Sequence, residues 1–138
     1  MKTNLTKVRV TYADTDAMGV TYHANYPKWF EIGRTELFRD MGVIYAQMSS
    51  HGYHLPLIRL YCHYLHPALY DQIVTVETQI DYLKRASMKF NSTIWDENMK
   101  IKLVEGYTVH ACTDNEGNIV KIPEVIVKAL HENFKKED

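Results

Sequence analysis

At 138 residues the chain is sized for one domain, because two smaller cores would each bury too little of their surface. Apolar residues make up 46% and charged residues 24%, enough burial to offset ordering entropy, so wholesale disorder is excluded. With 16 Lys and Arg against 17 Asp and Glu there is no basic excess for general phosphate-backbone binding, and nucleic acid is not an expected partner.

Met1 to Lys7 holds no apolar leader-like run, and no uncharged apolar stretch approaches the length needed to span a bilayer. The chain is expected to be cytoplasmic and not membrane-embedded, which leaves the sequons at Asn4 and Asn91 without meaning. Cys62 and Cys112 form no CxxC and are too few for a disulfide framework, so reduced thiols are expected. No repeat or Gly/Ser/Pro-rich linker divides residues 1–138, and the charged end, Lys135-Lys136-Glu137-Asp138, is expected to fray.

Val8 to Tyr12 alternates as a short strand would, and Ala13 to Tyr22, with its Asp and Thr residues and Gly19, reads as a loop. From His23 to Met41 the set Tyr26, Trp29, Phe30, Gly33, Leu37 and Met41 recurs every three or four residues, which predicts one amphipathic helix closed by Gly42. Pro27 is tolerated only in a first turn, so the helix must begin just before it. A short helical segment is expected over Ile44 to Ser49. Four strands follow: His54–His66, Gln72–Leu83, Ser87–Asp96 and Lys100–Asp114. Val74, Val76, Thr78, Ile80 and Tyr82 share one face of their strand, as Ile101, Leu103, Tyr107 and Val109 do of theirs. Asp96-Glu97-Asn98 and Asn115-Glu116-Gly117-Asn118 read as turns, and Glu124 to Phe134 as a terminal helix. Consecutive strands with no helices between them predict an antiparallel sheet packed on the long helix, an α+β fold.

The densest reactive cluster runs from Tyr12 to Tyr26 and leads straight into the helix N-terminus. The first N–H groups of that helix lack intrahelical acceptors, and the macrodipole favours negative charge there, so they could stabilise an oxyanion. Asp14 and Asp16 could act as base or nucleophile and His23 could donate a hydrogen bond or shuttle a proton, although an Asp ahead of a helix is more often a cap. Asp14 to Gly19 begins like a calcium loop, yet Met18 stands where an oxygen ligand is wanted and Asn25 where a bidentate Glu is wanted. No metal site is expected from His63 and His66 either, since their odd separation in a strand puts them on opposite faces. His110 reads as a hydrogen-bonded sheet residue, Trp29 and Phe30 as core, Tyr26 as core or pocket lining, and Glu31 with Arg34 as a surface pair without a role. Lys84-Arg85 sits at a strand turn, either solvated or able to hold phosphates.

The pattern Tyr12-x-Asp14-Thr15-Asp16-x-x-Gly19-Val20-x-Tyr22-His23-x-Asn25-Tyr26, followed by Glu31-x-x-Arg34-x-Glu36, resembles acyl-CoA thioesterases of the 4-hydroxybenzoyl-CoA thioesterase type. It is most similar to the subgroup associated with the Tol-Pal cell-envelope system. A second match is Tyr64 to Asp71, similar to the family's turn between its second and third strands, with Tyr-Asp where Gly-Asp is common. The resemblance implies a hot-dog fold, an acyl-CoA substrate, no cofactor, and homodimers or homotetramers with active sites at the subunit interface. It places the catalytic carboxylate on Asp16 with His23 beside it, the oxyanion donor at the helix start, and substrate contacts at Tyr22, Tyr26, Lys84 and Arg85. Two other readings stand beside it: a hot-dog dehydratase or hydratase, and a non-catalytic acyl-thioester-binding module.

Overall fold

The computed structural model describes residues 3–136. Five strands, β1 (Thr3–Arg9), β2 (Leu57–Tyr64), β3 (Ile73–Leu83), β4 (Ser87–Asp96) and β5 (Lys102–Ala111), form one sheet in the order β1-β3-β4-β5-β2. Every neighbouring pair is antiparallel. The long helix α1 (Tyr26–Asp40) lies on one face of this sheet, with α2 (Tyr45–Ser50) after it and α3 (Glu124–Lys136) at the end. This is the hot-dog arrangement that the resemblance implies. None of the described helices is long and apolar enough to cross a membrane.

Helix α1 starts and stops where local chemistry requires. Pro27 is its second residue, where a missing N–H has no intrahelical partner to lose, and a 3-10 turn, His23–Asn25, leads the chain into it. At the other end Gly42 adopts φ 81°, and the N–H groups of Gly42 and Val43 donate to the carbonyls of Arg39 and Phe38 at 3.0 and 2.8 Å. That pair of bonds is a Schellman stop, open to glycine because it has no Cβ to clash at positive φ.

The apolar stripe buries as its spacing predicts: Tyr26, Trp29, Phe30, Gly33 and Leu37 are covered, joined by Phe38. Its N-terminal half packs with Val10, Val74, Val76, Ile94 and Val104, and its C-terminal half with Ile80, Met88, Phe90, Ile122 and Ile126. Between the two clusters stands Gly33, where a Cβ would run into Thr78 Oγ1 and lie 3.0 Å from Val76 Cγ1. The helix therefore approaches β3 as closely as backbone allows.

Two expectations are corrected. The first strand lies earlier than Val8–Tyr12 because its inward positions include Asn4 and Thr6, which carry no hydrophobic signal, and because the Asp14 carboxylate captures the Thr11 N–H and starts a 3-10 turn at Tyr12. In β5 the alternation is broken by a register shift opposite Ile94 and Trp95. Leu103 thereby turns into the helix-side cluster, while Tyr107 stacks on Tyr61 across the sheet's other face. Lys135 and Lys136 fall within α3, and residues 137 and 138 lie outside the described residues.

Gly33→Ala tests the close approach. Alanine is the better helix former, yet the added methyl has no space, so the substitution should destabilise by about 1–3 kcal/mol, read as a lower denaturant midpoint at unchanged slope.

Candidate active site

Asp14 and Asp16, two residues apart, do different things. Asp14 is buried, and its carboxylate accepts the Thr11 N–H and hydroxyl at 2.9 Å each and the Lys28 ammonium at 2.7 Å. Burial alone would raise its pKa, but the Lys28 and Thr11 donors outweigh burial and hold the carboxyl below its usual value. Its backbone carbonyl accepts the Tyr22 N–H and the Asn25 side-chain amide, both at 2.8 Å. Asp14 therefore binds the loop to the start of α1 with both of its polar ends.

The loop beyond it is a narrow ribbon. Thr15 bridges Thr21, the Asp16 N–H donates to Val20 O at 2.9 Å, and Gly19, at φ 79°, turns the chain back. The Thr21 N–H and hydroxyl both donate to Ala68 O at 2.9 Å, which docks the ribbon on the turn between β2 and β3. Asp16 thus stands exposed on the ribbon with Oδ1 accepting the Met18 N–H at 2.8 Å, while Oδ2 meets no protein donor among the described residues.

His23 is also exposed. Its ring lies against Tyr22 at 4.4 Å between centroids, and its carbonyl accepts the Tyr64 hydroxyl at 3.2 Å. The Asn25 N–H closes the 3-10 turn onto Tyr22 O, whereas the N–H groups of His23 and Ala24 meet no protein acceptor among the described residues. These are the free donors that the helix start was expected to offer. Tyr22 is half-exposed beside them. Tyr26 is 3% exposed, with its hydroxyl accepting the Ala68 N–H at 3.1 Å, so in the single chain it is core that braces the turn and not an open pocket wall.

Lys84 and Arg85 lie exposed on the turn between β3 and β4, at the opposite end of the sheet. Strand β3 separates the two ends by roughly 33 Å at about 3.3 Å per residue. One chain does not bring these cations to Asp16.

The sequence reading missed a second polar cluster. Glu31 and Arg34 are not a surface ion pair: the Arg34 side chain turns under the helix, and its Nη1 donates to Thr108 Oγ1 on β5 across a long 3.4 Å. Glu31, Arg34, Tyr45, Leu55, Phe90 and His110 line a cavity of about 90 Å³ between α1 and the sheet. His110 faces Leu55 O through Nδ1 at 2.9 Å, so that nitrogen carries the proton, and Nε2 accepts from Thr108 Oγ1 at 3.0 Å. Burial and the neighbouring Arg34 push His110 down to about 4, which makes it a neutral ring at physiological pH. The available signal was position: Arg34 follows Phe30 by four residues, which puts it on the buried side of the helix.

Comparison with known proteins places this geometry. The thioesterase-like superfamily matches residues 10–130. A relative from Aquifex aeolicus is 33% identical over 88% of this chain and 93% of its own. The acyl-CoA thioester hydrolase YbgC of Escherichia coli is 28% identical over 94% of this chain and 93% of its own. The crystal structure of a DHNA-CoA thioesterase from Staphylococcus aureus superposes with a TM-score of 0.85 at 27% identity, covering 99% of this chain and 96% of that one.

The separate duties of the two aspartates can be measured. Asp14→Ala should cost about 2 kcal/mol of stability at neutral pH, since it removes three bonds to a buried charge, whereas Asp16→Asn should shift stability by less than about 0.5 kcal/mol. Because the folded-state carboxyl of Asp14 titrates below its unfolded value of 3.8, the wild-type advantage over Asp14→Ala should be full above that pH and fade as pH falls through the depressed value.

Proposed function

The chain belongs to the thioesterase-like superfamily, and from that premise we propose that it is an acyl-CoA thioester hydrolase acting through Asp16. The observation that carries the reading is that one Asp16 carboxylate oxygen and the N–H groups of His23 and Ala24 are left without protein partners among the described residues of one loop, which Asp14 ties to the start of α1. A thioester carbonyl lying between them meets a base or nucleophile on one side and oxyanion donors on the other. Asp16 either takes a proton from water or attacks the carbonyl to form a mixed anhydride that water then opens. Both routes break the C–S bond, release the CoA thiol and leave the free acid. His23 orients the thioester or stabilises the departing sulfur, and Tyr22 lines the approach. A likeness to the Tol-Pal-associated subgroup, on the motif, and a cytoplasmic location remain part of this proposal.

The working unit in this proposal is a dimer or a dimer of dimers. Strand β2 is a sheet edge whose residues are almost all exposed, including Leu57, Ile58, Leu60, Tyr61 and Tyr64. An apolar edge of that kind is a template for pairing. Antiparallel pairing with β2 of a second copy sets the Tyr64 end of one chain, which carries His23, beside the Leu57 end of the other, which lies on the side of Lys84 and Arg85. The CoA phosphates would then rest on cations from the second copy.

Asp16→Asn keeps the acceptor for Met18 and should fold normally, while thiol release from acyl-CoA in a spectroscopic assay should fall by about 10²-fold or more. Turnover at the wild-type rate would remove Asp16 from the chemistry. Hydration of an enoyl thioester without thiol release would favour the dehydratase reading, and tight acyl-CoA binding without any turnover the binding module. Lys84→Ala and Arg85→Ala should raise KM several-fold with little change in kcat, and an unchanged KM would clear them of phosphate binding.

A further inference from the structure

The cavity under α1 has the makings of a recognition site. Its head is a guanidinium with five N–H donors, of which one makes a single long bond to Thr108, and among the described residues no carboxylate forms an ion pair with it. Burial disfavours its charge, and the attraction of Glu31 on the same cavity wall offsets that only in part, so a further acceptor would stabilise it. The surroundings hold it in place. Leu55 O, His110 and Thr108 form a chain of hydrogen bonds that ends on Arg34, and Phe38 and Phe90 supply apolar walls. The volume, about 90 Å³, is more than a single water needs and leaves room for a small polar group.

Its position relative to the reacting centre follows from the strand pairing. Leu57 pairs with His110 and Tyr64 with Val104, so the cavity lies toward the Leu57 end of β2 and the helix start toward the Tyr64 end. Arg34 is nine residues along the helix from Asn25, about 14 Å at 1.5 Å per residue. Antiparallel pairing of two β2 edges brings the helix start of one copy to the cavity of the other. Leu57, Leu60 and Tyr64 line the helix-side face of that edge, because their partners His110, Thr108 and Val104 alternate with it toward α1.

We propose that Arg34 of one copy receives a carboxylate at the far end of the acyl group whose thioester is held at Asp16 of the other, so that the enzyme favours ω-carboxyacyl-CoA substrates. This inference rests on the thioesterase reading and specifies its substrate class. A carboxylate matches the guanidinium fork with two parallel bonds, which a neutral acceptor does not.

The test is a set of matched acyl-CoA pairs: butyryl with succinyl, and hexanoyl with adipoyl, each corrected for uncatalysed hydrolysis. For the pair whose length fits, wild-type enzyme should favour the carboxylated member by about tenfold or more in kcat/KM. Arg34→Met should collapse that ratio toward one or below, and Arg34→Lys, which keeps the charge without the fork, should leave an intermediate value. A wild-type preference for the uncarboxylated members, or a ratio unmoved by Arg34→Met, overturns the inference. So does 4-hydroxybutyryl-CoA turning over as well as succinyl-CoA, which would assign the cavity to a hydroxyl bound by Glu31. Failure to release thiol from any of these thioesters would instead bring down the thioesterase reading itself.

Discussion

The buried carboxylate of Asp14 is the joint on which the site depends. Its side chain gathers Thr11 and Lys28 and its carbonyl gathers Tyr22 and Asn25, so a loop that is mostly exposed is held against the first turn of α1. A charge with so little solvent is tolerable only because every oxygen is met by donors, one of them cationic. The partner carboxylate two residues on can then stay free and exposed. One aspartate carries the structural cost, and in the proposed mechanism the other does the chemistry.

The sheet imposes a second constraint. Its five strands leave β2 unpaired at one edge and separate the reactive loop from Lys84 and Arg85 by the length of β3. On the proposed reading a single chain therefore offers a reacting centre without cover and a basic turn far from the substrate. Antiparallel pairing of two copies joins opposite ends of the two sheets, which meets both needs in one step. The cavity under Arg34 fits the same arrangement, since it lies at the end of β2 that a second copy would present.

Much of the fold was legible because its signals are local. The period of Tyr26, Trp29, Phe30, Gly33 and Leu37, the proline at the helix start and the glycine after its end each act through neighbouring residues, and each element formed where they point. The first strand was less legible, because its inward positions Asn4 and Thr6 are satisfied by hydrogen bonds and carry no hydrophobic signal. The face of Leu103 was not legible at all, because a bulge set by the neighbouring strand reverses the alternation there.

The candidate site divides in the same way. That Asp14 to Asn25 forms a polar loop leading into a helix N-terminus is written in residue types and spacing, which is why the motif could be read from the chain alone. Which aspartate is buried, which amides remain free, and that Arg34 turns inward to meet Thr108 and His110 were decided only by folding. The inward turn of Arg34 depends on donors and walls up to 76 positions away along the chain, and periodicity carries no information about partners brought together by strand pairing.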